Sequence, residues 1–111
     1  MNERRRHVRA KPLPELPAHV LSSVSPEITE PLDVVDISVS GLAIVEGMKK
    51  AEPGAKVPLR LVLPSTTLAL DAVVRWVARG MVGLELEAPS EEASTAIGRY
   101  VGELLERGSR A

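Results

Sequence analysis

The 111-residue chain contains no cysteine and no phenylalanine, and it has one tryptophan and one tyrosine. Without cysteine there is no disulfide, no thiolate metal site and no cysteine nucleophile, and the composition fits a reducing compartment. With so few aromatics the core must be built from Val, Leu, Ile and Ala. The same fact argues against a base-stacking sheet of the RNA-binding kind, which needs several exposed rings. No apolar run approaches the ~18 residues of a membrane span, and no apolar segment follows the basic start as in a secretory signal. Membrane insertion is therefore not expected, and the cytoplasm is the expected location. Histidine is scarce: only His7 and His19 occur. His19 opens an apolar run and is read as a partly buried strand residue. No nucleophile elbow, zinc-protease or phosphate-loop motif is present, so no catalytic residue, metal or cofactor is assigned.

What is present is an uneven distribution of charge. Residues 1–11 hold Arg4, Arg5, Arg6, Arg9 and Lys11 against Glu3, a balance of +4. The remaining 100 residues then carry nine basic and 14 acidic side chains, a balance of −5. A basic arm on a mildly acidic body points to an anionic partner for the arm. The acidic body and the missing aromatics argue against nucleic acid as that partner.

Prolines at 12, 14 and 17 make an extended connector after the arm. Strand-like runs follow at 18–24, 32–37, 41–46, 57–63, 67–77 and 81–87. In the fourth, Val57, Leu59, Leu61 and Leu63 share one face. In the fifth, Leu68, Leu70, Ala72, Val74 and Trp76 are expected to share one. Arg79-Gly80 marks the turn into the sixth, where Val82, Leu84 and Leu86 align. The period then changes. Ser90 is a candidate N-cap, Glu91 and Glu92 suit the positive helix end, and Ile97, Val101, Leu104 and Leu105 recur at helical spacing up to a stop at Gly108. Gly98 and Gly102 weaken that helix. The pattern predicts a small all-β barrel with a C-terminal helix over about 90–107. The expected division is a flexible basic arm, 1–12, and a folded body, 13–111.

One polar corner remains, "DISVSG" at 36–41. Asp, Ser and Gly are ordinary turn formers. Beside an arginine-rich arm they also suit a guanine nucleotide. Guanidinium groups hold phosphates and stack on purines, and a carboxylate accepts from the N1–H and N2–H₂ fork that guanine alone presents. Arg5-Arg6-His7-Val8-Arg9 followed by Asp36-Ile37-Ser38-Val39-Ser40-Gly41 resembles the RxxxR and [D/N]xSxxG motifs of PilZ domains, receptors for the bacterial second messenger cyclic di-GMP. Arg4 completes the fuller RRxxxR form. The stretches "EPGAKVPLRLVLP", "AVVRWV" and "VGLELEAPSEEA" extend the resemblance over nearly the whole chain.

The resemblance implies a six-stranded antiparallel barrel closed by a helix. It implies that Arg4, Arg5 and Arg9 hold phosphates and stack on guanine, while Asp36, Ser38 and Gly41 read guanine edges. Members with arginine at the place of Arg4 often take an intercalated ligand dimer. With no output module in the chain, the signal is expected to pass to another protein. The competing expectation is a PilZ-fold interaction module, of the pilus or motility kind, that does not bind the nucleotide.

Overall fold

The computed structural model describes residues 8–22, 31–45, 47 and 52–111. Arg4, Arg5, Arg6 and His7 lie outside the described residues. Six strands follow in chain order: β1 (His19–Ser22), β2 (Leu32–Ser38), β3 (Gly41–Val45), β4 (Lys56–Val62), β5 (Thr67–Ala78) and β6 (Met81–Leu86). Among the described residues one helix, α1 (Glu91–Glu106), comes last. All pairings are antiparallel, and the sheet closes in the order β1-β2-β3-β6-β5-β4. Closure satisfies both edges of the sheet, so a chain this short needs no other cover for unpaired backbone groups. The barrel and terminal helix agree with the sequence expectation.

Alternation explains most of the strands. Leu59 and Leu61 of β4, Leu68, Leu70, Ala72 and Val74 of β5, and Val82, Leu84 and Leu86 of β6 all point inward and are buried. The β5–β6 hairpin turns through Arg79 and Gly80, both at positive φ (55° and 75°), the two-residue geometry that matches the twist of the strands.

The helix begins at Ser90, whose hydroxyl accepts from the Ala93 N–H at 3.1 Å. It ends in a Schellman arrangement: the Ser109 N–H donates to the Leu104 carbonyl and the Gly108 N–H to that of Leu105, both at 2.9 Å. Ala93, Ile97, Tyr100, Val101 and Leu104 are its buried side chains, and it packs against β2. Leu105, expected on the stripe, is half-buried at its margin. The Tyr100 hydroxyl donates to the Leu16 carbonyl at 2.6 Å, tying the helix to the proline-rich connector. Burial, and secondarily Glu103, pushes the Tyr100 phenol up to about 12.

One expectation fails. Trp76 does not share the inward face of Val74 but is 42% exposed. The register between β5 and β6 shifts between Val74↔Leu84 and Trp76↔Gly83. Arg75 is thus an extra residue, and this β-bulge turns Trp76 outward.

Candidate functional site: a cleft on the outer face of the barrel

A second bulge lies on β2. Val34 pairs with Ile44 and Ile37 with Leu42, so two positions on β3 span three on β2. Val34 and Ile37 can both face the core only because of this shift, and the same shift turns Asp36 outward.

The two bulges act on one row of residues. Asp36 pairs with Ala43, Ala43 with Gly83, and Gly83 with Trp76, across β2, β3, β6 and β5. The row carries a carboxylate at one end and an indole at the other, with small residues between them. Three strand spacings separate the ends, roughly 14 Å. Gly83 has to be small, because a β-carbon there would collide with the Trp76 ring lying over it. Gly41, at the start of β3, is held against β6, and a β-carbon would meet the Leu84 carbonyl oxygen. Its role is close backbone approach, and its φ is not positive.

Above this row is an open cleft of about 520 Å³, lined among others by Arg9, Asp36, Ser40, Gly41 and Trp76. Arg9 reaches it through backbone pairing. The Ala10 N–H donates to the Ile37 carbonyl and the Ile37 N–H to that of Ala10, both at 2.9 Å, and Ala10 is fully buried. Further along, the Lys11 N–H donates to the Ser109 carbonyl and the Ala111 N–H to that of Arg9, both at 3.1 Å. Residues 9–11, drawn from sequence into the arm, are thus strung between β2 and the segment after α1. Ala10 places Arg9 beside Asp36, 27 positions along the chain. Arg9 Nε donates to Asp36 Oδ1 at 2.8 Å, and Nη2 lies 2.5 Å from the same oxygen. Both side chains keep part of their surface in solvent.

Ser38 is fully buried. Its hydroxyl accepts from the Ser40 N–H at 3.2 Å, contacts the Ser40 hydroxyl at 3.1 Å and lies 3.4 Å from the Gly41 carbonyl. It builds the two-residue turn between β2 and β3, and the exposed Ser40 is the hydroxyl that lines the cleft. Sequence reasoning did not assign Trp76, Ser40, or the cross-strand pair of Arg75 Nε with Glu85 Oε1, which also lines the cleft. No local signal marked Trp76, because Ala72, Val74 and Trp76 keep strict alternation with an apolar inner face, and only the register shift against β6 turns the indole outward.

Of the other titratable groups, His19 Nδ1 lies 3.1 Å from Asp33 Oδ1 in an exposed pair. Among the described residues no group of three His, Cys, Asp or Glu side chains is placed to hold a metal ion. No helix among them is long and apolar enough to cross a membrane.

Comparison with known proteins adds the family. No curated relative matches the sequence. Among solved structures, the Bacillus subtilis inhibitor of motility MotI/DgrA is 19% identical with a TM-score of 0.71, covering 96% of this chain and 52% of its own. The PilZ domain of YcgR from Escherichia coli with c-di-GMP is 15% identical with a TM-score of 0.70, covering 95% and 94%. The K. pneumonia MrkH–c-di-GMP complex is 16% identical with a TM-score of 0.76, covering 97% and 55%. The chain thus spans about half the length of MotI and of MrkH. At these identities the likeness establishes the fold. The PilZ domain model matches residues 3–103, and with that match over most of its length the chain belongs to the PilZ domain family.

Proposed function

We propose that this chain is a non-enzymatic receptor for cyclic di-GMP that acts in the cytoplasm, orders its N-terminal arginine arm on ligand binding and signals to a partner protein. The observation that carries the reading is the row Asp36–Ala43–Gly83–Trp76 with Arg9 drawn to its acidic end. Asp36 accepts from the guanine N1–H and N2–H₂ groups. Its Oδ2 has no hydrogen-bond partner among the described residues, so a base can engage it while Arg9 holds Oδ1. The Arg9 guanidinium then serves phosphate with its edge or a purine with its face. Trp76 offers an exposed ring on which a second base stacks. Ala43 and Gly83 keep the surface between them low, and Ser38 shapes the turn that holds Asp36 and Ser40 in place. Arg4 and Arg5 complete the phosphate contacts and support two intercalated nucleotides per chain. Ligand phosphate neutralises the arginines of the expected 1–12 arm, whose part before the Arg9–Lys11 pairing folds across the cleft on binding at a cost of roughly 2–5 kcal/mol. The c-di-GMP held by the YcgR and MrkH structures supports the ligand class.

The test is calorimetry with cyclic di-GMP, cyclic di-AMP and GTP, alongside fluorescence of Trp76, the one tryptophan of the chain. Cyclic di-GMP is expected to bind with a change in indole emission, and the other two at least about tenfold more weakly. Equal affinity for cyclic di-AMP would overturn the role of Asp36. Silent fluorescence at saturation would remove Trp76 from the site.

A further inference from the structure

A second concavity, larger than the ligand cleft, takes no part in that reading. It measures about 650 Å³ and runs between α1 and the turn joining β4 to β5. Its floor is apolar: Leu63, Leu68 and Tyr100 are buried there, and Ala96 is half-buried. One helical stripe forms its long wall, from Glu92 through Thr95, Ala96 and Arg99 to Glu103. Eleven helical rises separate the ends of that stripe, a length of roughly 17 Å.

The charge on this wall is lopsided. Glu91, Glu92 and Glu103 line the groove against the single guanidinium of Arg99. Glu91 and Glu92 make no ion pair among the described residues. Their position at the positive end of the helix accounts for two acids. It does not account for Glu103, three turns on, where the helix dipole disfavours a carboxylate and the last turn contains no basic residue. Glu103 has Arg107 Nη2 at 3.3 Å, an exposed pair one turn away that leaves the carboxylate half open to solvent. Carboxylates therefore stand at both ends of the groove, with Arg99 between them, over an apolar floor.

We propose that this groove is a docking surface for a basic amphipathic segment of a partner protein. Two or three aliphatic side chains would seat on Leu63, Leu68, Ala96 and Tyr100, and flanking lysines or arginines would meet Glu91, Glu92 and Glu103. The proposal rests on the receptor reading in that it names the surface by which the receptor holds its target. The floor also touches the path from the ligand cleft, because Tyr100 is hydrogen-bonded to Leu16 in the connector that follows Arg9. Occupying both sites at once is open to the chain, since the two sets of lining residues do not overlap.

The probe is a fluorescently labelled amphipathic leucine–lysine peptide, with a scrambled peptide of the same composition, in about 150 mM salt to screen diffuse attraction. Anisotropy titrations compare the full chain with Ala96→Arg, which fills the floor, and with the double variant Glu91→Lys, Glu92→Lys. Each variant, and the scrambled peptide with the unaltered chain, is expected to bind at least about tenfold more weakly than the amphipathic peptide with the unaltered chain. Equal binding by Ala96→Arg, or by the scrambled peptide, would overturn the groove as a shaped site. Concentration-dependent self-association that Ala96→Arg abolishes would make the occupant a second copy of the chain. A tenfold or greater gain on deleting residues 1–7 would make it the arm. Calorimetry with cyclic di-GMP on Ala96→Arg should match the unaltered chain. If the chain binds the peptide in the groove but no cyclic di-GMP, the receptor reading falls and the groove stands; loss of the peptide alone has the opposite meaning.

Discussion

Strands β4 and β5 pair through seven consecutive registers, from Lys56↔Val73 to Val62↔Thr67, without a shift. The pairs β2–β3 and β5–β6, in the same barrel, each slip by one residue. In the regular hairpin, alternation runs unbroken and every inward side chain joins the core. In the slipped pairs, one extra residue per strand moves a carboxylate and an indole to the outer surface while the apolar residues on either side still face in. A bulge lets a strand do both jobs, because it changes the phase of the side chains without opening the barrel. The cleft is found where alternation breaks, and the fold is held where it does not.

Substitutions can separate these two roles. The largest expected effect is in the regular hairpin, where Leu61→Ala removes a fully buried side chain. It should cost about 2–5 kcal/mol in chemical denaturation. A loss below about 1 kcal/mol would mean that the regular half carries no more of the stability than the slipped half.

Helix docking can be measured separately through pH. The Tyr100 phenol titrates near 10 when unfolded and is raised to about 12 in the fold. Between those values the unfolded chain has lost the proton and the folded chain keeps it, so stability falls as pH rises from 10 to 12. The contribution, roughly 2–3 kcal/mol, is fully present below pH 10 and gone above 12. Denaturation of Tyr100→Phe beside the unaltered chain across that range isolates it, since the variant should lack this part of the decline. Parallel curves would show that the phenol's burial is not coupled to folding.

In the slipped region the expected loss is of ligand. Asp36→Ala should weaken cyclic di-GMP ten- to a hundredfold, about 1.5–3 kcal/mol for a hydrogen bond to a charged group. Its melting temperature should move little, because a partly exposed pair such as Arg9–Asp36 contributes at most about 1 kcal/mol. Arg9→Ala should behave alike, as the backbone bonds of Ala10 and Lys11 remain. A large stability loss in either would make the pair a structural clamp and blur the contrast between the two regions.

The smallest expected effect is a gain. Gly102 lies inside α1, and a β-carbon there would meet nothing within 4 Å. Gly102→Ala should stabilise by about 0.5–1 kcal/mol with ligand affinity unchanged. A loss of stability would show a contact on that face of the helix.

Much of the fold was legible from local chemistry. Alternating leucines located β4, the Arg79-Gly80 pair the β5–β6 hairpin, and Ser90 with Gly108 the ends of the helix, because caps, turns and strand faces depend on near neighbours in the chain. The site was legible as two motifs and not as an arrangement. Its four described motif residues fall into distinct places: Arg9 and Asp36 face each other, Gly41 lets two strands approach, and Ser38 is buried in the turn.

By itself the sequence determined which stretches become strands or helix, that the core is aliphatic, and that arginines and an Asp-x-Ser-x-x-Gly corner belong to one family. Only the tertiary structure decided which way Asp36 and Trp76 point. A bulge arises from the fit of one strand to its partner, and Val35 and Arg75 do not announce themselves as extra residues. Only it joined Arg9 to Asp36, Lys11 to Ser109 and Tyr100 to Leu16, contacts made across 27, 98 and 84 positions. Such pairings depend on how the closed barrel brings distant segments together, and no local preference of the residues involved encodes that.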